Sequence, residues 1–232
     1  MTSATLLHLD SSISPAGSVS RALTARFAAV WRARHGAARL RHRDLAADPV
    51  PAVRAAYEAL GRRAERKGVL SPDDVAALAE TPDEEHEWAL TRSLVEELRA
   101  ATTVLLGAPM YNLTVSAGLK AWIDRISFPG AYVDAGTGER LLRDTRVVVV
   151  AARGGGYGPG TPREHLDFQV PYLRACFTGL GVAEDNLHIV TAELTRAADV
   201  PALNGLQPLA ARSLARAEAA VDAMAAMVTD DR

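Results

Sequence analysis

The sequence predicts an α/β fold: a doubly wound, five-stranded parallel sheet in the order 2-1-3-4-5 with helices on both faces. Three observations predict it. Short aliphatic runs alternate with longer amphipathic segments along all 232 residues. Five such runs alternating with helices imply a parallel sheet covered on both faces. Right-handed crossovers and a count of five then fit the order 2-1-3-4-5. The whole span 1–232 reads as a single domain, with a helical excursion near 53–80 and a hairpin near 130–143.

Thr5–Leu9 reads as the first strand, and Ser18–His35 as a helix with Leu23, Phe27, Val30 and Trp31 at helical spacing. Ala38–Leu45 is a charged strand candidate suited to a sheet edge. Asp48-Pro49-Val50-Pro51 breaks the pattern. Val53–Leu78 is Ala-rich and charged, a helix pair broken near Gly68 and Pro72. Pro82–Ala100 is a clearer helix, Thr103–Gly107 a buried strand, and Val115–Ile126 a further helix. Tyr132–Leu142, with Gly136 and Gly138 between apolar flanks, suggests the hairpin. Arg146–Ala151 is a strand, Pro162–Leu180 largely helical, Leu187–Ala192 the last strand and Leu206–Met227 the last helix.

Composition excludes several classes of function. Hydrophobic residues make up 48% and charged residues 23%, enough for a sizeable core. A net charge of −2 without a dense basic run argues against nucleic acid and anionic lipid as partners. The single cysteine, Cys176, permits no intramolecular disulfide and reads as a core residue. The six histidines show no metal-binding pair; His86-Glu87-Trp88 lacks the second histidine of a zinc protease helix, so no metal is expected. The N-terminus has no basic leader, and the longest aliphatic run, Val147–Ala152, is too short to span a bilayer. The expected compartment is the cytoplasm.

In such a sheet, ligands bind beyond the carboxyl ends of the strands. After strand one, Asp10-Ser11-Ser12-Ile13-Ser14-Pro15-Ala16-Gly17-Ser18-Val19-Ser20 runs into a helix. Its hydroxyls and amides offer either an anion site or an ordinary helix cap at Ser18. Neither Gly-x-x-x-x-Gly-Lys nor Gly-x-Gly-x-x-Gly follows the strand, which argues against triphosphate and dinucleotide sites. After strand three, Ala108-Pro109-Met110-Tyr111-Asn112-Leu113 offers an apolar platform with exposed amides, or simply core residues at a strand end. After strand four, Ala152-Arg153-Gly154-Gly155-Gly156 permits close backbone approach, or makes a mobile surface loop. All three loops should share one end of the sheet.

These residues resemble the FMN-dependent NADH:quinone oxidoreductases, also called FMN-dependent NADH azoreductases, whose fold is flavodoxin-like. The resemblance runs from about Leu6 to Ala226 and is carried by SSISPAGSVS, ADPVP, APMYNLTVSAGLKAWIDRI, ARGG and VPYLRACFTGLGV. It implies that Ser12, Ser18, Val19 and Ser20 hold the FMN phosphate. It implies that Met110, Tyr111, Asn112 and Leu113 lie along the isoalloxazine, and that Ala152, Arg153, Gly154 and Gly155 close on its pyrimidine side. It further implies NADH or NADPH as donor, an aromatic acceptor such as a quinone or azo compound, ping-pong turnover and a homodimer. The apolar Trp122–Tyr132 region would be the interface patch.

The chain departs from the family at several positions. Val19 stands where Gln is common, Ala152 where Ser is common, and Leu113 where an aromatic residue is common. Phe128–Tyr132 differs in composition, and Gly179 replaces an aromatic residue. The last three are expected to reshape the space above the flavin. No side chain is assigned as a catalytic acid or base, because flavin chemistry needs mainly position and electrostatics from the protein. Tyr157 and His165, near the fourth-strand loop, read as structural or solvated. Two other readings stand beside this one: an FMN enzyme of specialised metabolism acting on a polycyclic aromatic substrate, and a non-enzymatic flavoprotein carrier or regulator.

Overall fold

The structure is a computed structural model that describes residues 4–230. Five strands, β1 (Leu6–Asp10), β2 (Leu40–Asp44), β3 (Thr103–Pro109), β4 (Arg146–Ala152) and β5 (Leu187–Ala192), form one all-parallel sheet. The order is β2-β1-β3-β4-β5, as the alternation of runs predicts. The helices are α1 (Val19–His35), α2 (Ala55–Lys67), α3 (Pro72–Ala76), α4 (Pro82–Ala100), α5 (Ala117–Ile126), α6 (Gln169–Gly179) and α7 (Gln207–Asp230).

Side-chain alternation divides each central strand between two cores. Leu7, Leu9, Val104, Leu106, Val147 and Val149 face α4, α5 and α6, packing against Leu98, Trp122, Ile123 and Phe177. Leu6, Leu105, Val148, Val150 and Val190 face α1 and α7, packing against Leu23, Phe27, Trp31 and Val221. β3 and β4 are therefore apolar at nearly every position, as strands covered on both faces must be. β2, Leu-Arg-His-Arg-Asp, is the exposed edge that its charge predicts. The excursion α2–α3 makes a satellite core, Leu60, Ala64 and Val75 closing over Trp88 and Phe128.

Two expectations change in form. The Tyr132–Leu142 segment carries one isolated bridge, Val133 with Arg140, around a turn in which Asp134 accepts from the amides of Gly136 and Thr137. It is a hairpin-shaped loop without strands. The helix expected from Pro162 starts at Gln169. Asp167 Oδ1 accepts from the amides of Gln169 and Val170 at 3.0 and 3.1 Å, which satisfies the first orphan donors there. The preceding residues fold into turns and a short 3-10 segment, Glu164–Leu166.

A buried ion pair fixes the chain between β2 and α2. Arg125 and Glu87 are 0% and 3% exposed in their side chains, and Arg125 also donates to the carbonyls of Pro51 and Ala52. The Asp48–Pro51 break is thereby pinned against α4 and α5. Among the described residues, no helix is long and apolar enough to cross a membrane.

Candidate functional site

Because β1, β3 and β4 are parallel neighbours, the loops that leave their carboxyl ends lie side by side. The structure brings the three together by direct contacts. The Tyr111 hydroxyl accepts from the Ile13 amide at 3.2 Å and lies 3.4 Å from Ser12 Oγ. The Met110 amide donates to the Ala152 carbonyl at 2.8 Å.

In the first loop, Ser18 caps α1: its Oγ accepts from the Arg21 amide and lies 3.2 Å from Ser20 Oγ. Among the described residues, the amides of Ser18, Val19 and Ser20 have no protein acceptor. Amides aimed out of a helix start, with the positive end of the helix dipole behind them, favour an anion. The loop is braced from below by Arg21, a residue the sequence reading missed. Its Nε and Nη2 donate to the Ser12 carbonyl at 3.3 and 2.6 Å, and its guanidinium grips Asp44 at 2.8 and 2.7 Å. The Arg21 hydrogen bond holds the Asp44 carboxyl down at about 2. Arg21 lies three residues past the cap serine, a position whose amide the cap engages. Its grip on Asp44 depends on where β2 ends.

The second loop is a tight reversal. Tyr111 and Thr114 exchange amide-to-carbonyl bonds of 2.9 and 3.1 Å, with Asn112 and Leu113 at φ 47° and 73° between them. Both central residues are left-handed, the geometry of a type I′ turn. Asn adopts it readily, whereas Leu carries a cost of about 1–2 kcal/mol. The Leu113 carbonyl accepts from the Phe168 amide at 3.3 Å, tying this turn to the start of α6.

The third loop differs from the simple expectation of a glycine-rich cradle. Arg153 is buried, and its side chain points inward: Nη2 to Asp167 at 2.7 Å, Nη1 to Glu193 at 3.1 Å and Nε to Gln169 at 3.2 Å. Its amide donates to Ala192 and its carbonyl accepts from Thr195. Arg153 is therefore a strut. The space a Cβ would take at Gly154 abuts the Arg196 stem at 3.2 Å, and at Gly155 the Tyr157 ring at 3.2 Å. What the loop leaves open is the amides of Gly154 and Gly155, which have no protein acceptor among the described residues.

A cleft of about 600 Å³ opens beside the second loop, between Ile13, Leu45, Ala46, Tyr111, Asn112 and the start of α5. Of the sequence-predicted residues only Tyr111 and Asn112 line it. Ile13, 71% exposed, stands at its wall, and Phe168, 55% exposed, follows the third loop. The Trp122–Tyr132 segment, expected as an exposed interface patch, is instead core: Trp122, Phe128 and Tyr132 are all under 5% exposed. Gly179 ends α6, roughly 15 Å along the helix from Gln169 at 1.5 Å per residue. The Ala183 amide donates to Arg143, just before β4 begins, so that region lies at the amino end of the sheet. Of the three departures expected to reshape the site, only Leu113 lies within it in this chain. Burial holds the Cys176 thiol above its ordinary value, in keeping with a packing role.

The histidines also need correction. Local spacing shows no pair, but the sheet register sets His8 beside His42 with Asp10 between their donor atoms. Burial pushes the Asp10 carboxyl up, yet its contacts with His8, Thr24 and His42 outweigh this and hold it below the ordinary range.

The family model for the flavodoxin-like fold matches residues 4–212. An FMN-dependent NADH:quinone oxidoreductase of Nocardia farcinica is 42% identical over 199 residues, covering 86% of this chain and 87% of its own. A relative of the same name in Streptomyces avermitilis is 38% identical over 229 residues and 98% of both chains. The crystal structure of an azoreductase from Bacillus anthracis superposes with a TM-score of 0.74 at 20% identity, covering 96% of this chain and 98% of that one, a likeness of fold. Matched almost end to end by such relatives, the chain belongs to the flavodoxin-like fold family and, within it, to the FMN-dependent NADH:quinone oxidoreductases.

Proposed function

We propose that the chain, as one flavin-binding domain, is an FMN-dependent oxidoreductase that carries electrons from NADH or NADPH to a quinone or azo compound. The observation that carries this reading is the set of open amides at Ser18, Val19 and Ser20, beside the hydroxyls of Ser18 and Ser20. They fit a terminal phosphate held by hydrogen bonds and a helix dipole, with no lysine needed. Ser12 would complete that phosphate site. Met110, Tyr111, Asn112 and Leu113 would flank the ring, with Ala152 and Arg153 behind its polar edge. The open amides of Gly154 and Gly155 fit that edge as fixed donors toward negative charge. When bound, FMN supplies two-electron chemistry, accepting hydride from the nicotinamide and returning electrons to the acceptor.

The residues provide position. Arg21 fixes the Ser12 backbone, and Arg153 fixes the fourth-strand turn, so the donors are oriented before any ligand arrives. Donor and acceptor would use the same face in turn, a ping-pong order. A homodimer in the cytoplasm is part of the proposal. Exposed Ile13 and Phe168 beside the loops support a second copy or the acceptor as their cover. A polycyclic acceptor is favoured by one observation, the aliphatic Leu113 at the turn.

Titration of flavin-free protein with FMN and FAD, followed by NADH oxidation with and without a quinone, tests the reading. FMN binding of one per chain, much tighter than FAD, and quinone-dependent NADH oxidation are expected. Equal affinity for FAD overturns the monophosphate site, and a flavin-loaded chain that oxidises no NADH overturns the enzyme assignment.

A further inference from the structure

Beneath the first loop lies a cluster that the flavin reading does not use. The parallel register places His8 of β1 opposite His42 of β2, and Asp10 follows His8 by two residues on the same face. Donor atoms of the three side chains all lie within 4.8 Å of one another. Asp10 Oδ2 is 3.3 Å from His8 Nε2 and 3.0 Å from His42 Nε2. His8 is 3% exposed, and neither of its ring nitrogens has a hydrogen-bond partner. At 3.3 Å from Asp10 Oδ2, His8 Nε2 makes an ion-pair contact and no regular hydrogen bond. A buried imidazole left in that state pays its desolvation without a compensating partner.

We propose that His8, Asp10 and His42 form a binding site for a divalent transition-metal ion of the zinc class at the root of the loop after β1. Two imidazoles and a carboxylate suit such an ion; calcium and magnesium need six or more oxygens, and no thiolate is present for softer ions. Metal–ligand bonds of about 2.0–2.1 Å in a tetrahedron put neighbouring donors about 3.3 Å apart. Asp10 Oδ2 stands at that separation from His8 Nε2, and at 3.0 Å from His42 Nε2, with which it now shares a hydrogen bond that a metal would replace. His42, on the edge strand with a side chain 42% exposed, can turn to bring its nitrogen closer to that of His8.

The surroundings support the carboxylate as a ligand. Thr24 Oγ1 donates to Asp10 Oδ1 at 2.8 Å, which orients the group and leaves Oδ2 to the imidazoles. A Cβ at residue 107 would sit 2.7 Å from Oδ1, so glycine there makes room for this arrangement. The charged neighbours are Arg21, 3.9 Å from Oδ2, and Asp44, which neutralises it. Asp10 directly precedes Ser11 and Ser12, so metal here would tie β1 to β2 where the first loop begins. The proposal stands without the flavin reading.

The test uses the full chain after exhaustive chelation, titrated near neutral pH with Zn²⁺ by calorimetry and with Co²⁺ by visible absorption. One equivalent bound below about 10 μM is expected, with the intense cobalt bands of four- or five-coordination. His42→Ala, at an exposed edge position, should keep the fold and weaken binding at least about tenfold. Asp10→Asn should do the same, His188→Ala should bind as wild type does, and a fixed excess of zinc should raise Tm in wild type and His188→Ala more than in His42→Ala or Asp10→Asn. Absent binding, or binding that His42→Ala leaves unchanged, overturns the proposal. In the first case the cluster is a carboxylate shared by two imidazoles; in the second the ion sits on other surface histidines.

Discussion

Arg153 offers the sharpest test of how the fourth-strand loop is held. Its three side-chain bonds reach Asp167 at 2.7 Å, Glu193 at 3.1 Å and Gln169 at 3.2 Å. Arg153→Met keeps most of the buried stem and removes all three. Hydrogen bonds to charged groups contribute about 1.5–3 kcal/mol each, and breaking a buried pair costs about 3–5 kcal/mol because a charge is stranded. Here the stranded carboxylates are 15% and 18% exposed, so water reaches them and the lower figure applies, about 3 kcal/mol. For a chain of this size that is a fall in Tm of about 6–12 °C. Urea denaturation of flavin-free wild type and Arg153→Met measures it. Adding Glu193→Gln should recover part of the loss, since one stranded charge disappears. If Arg153→Met loses under about 1 kcal/mol yet abolishes FMN binding, the side chain grips a ligand and the strut assignment is wrong.

Ser18→Asp should keep the apo fold, since aspartate is also a good cap, while weakening FMN by at least about tenfold through repulsion of the phosphate; titration of the variant decides it. Leu113→Phe should shift relative kcat/KM toward small quinones over polycyclic ones. An unchanged acceptor ranking with slower flavin reduction would remove Leu113 from the acceptor site. The Asp44 carboxyl is depressed to about 2 in the folded chain, so the Arg21–Asp44 contribution is present above its ordinary value near 3.8 and lost as pH falls through about 2. Denaturation across that window should show a slope that Asp44→Asn removes. Gly107→Ala should destabilise by about 1–3 kcal/mol, because the new methyl meets Asp10 Oδ1 and Thr24 Cγ2 at 2.7 and 3.2 Å; a neutral result in urea would mean that α1 yields.

What could be read from the sequence was set by short-range chemistry. Val147–Val150 in β4 and Val104–Leu106 in β3 read as buried strands, since short continuous aliphatic runs rich in β-branched residues leave no polar face; Val104, Leu105 and Leu106 are each 0% exposed. The cap at Ser18 and the gathering of three loops at one end of the sheet follow from residue type and strand order alone. The start of α6 did not, because Pro162 is a good first helical residue, yet Asp167 captures the amides that begin the helix. Aromatic residues at Trp122–Tyr132 gave no sign of facing inward, since the α2–α3 excursion that covers Phe128 is separated from it by a long stretch of chain. The inward ion pairs of Arg153, a residue read only as part of the loop, and the His8–His42 pair escaped the sequence for one reason. Their partners, Glu193 and Asp167 in one case and β2 in the other, are fixed by register and by distant turns, which residue spacing does not encode.

The packing of α7 has a consequence for the order of assembly during synthesis. Leu6 of β1 and Leu23, Phe27 and Trp31 of α1 share one apolar cluster with Ala217, Val221 and Ala225 of α7. Nearly the whole polypeptide must leave the ribosome before that side of the sheet is sealed. Until then the nascent chain presents a greasy surface of leucine, phenylalanine and tryptophan, the kind that holding chaperones recognise. The opposite side, built from α4, α5 and α6, can close earlier from contiguous segments. A ribosome stalled before α7 emerges should therefore display a half-folded sheet, protease-resistant around β3 and β4 and still open at α1.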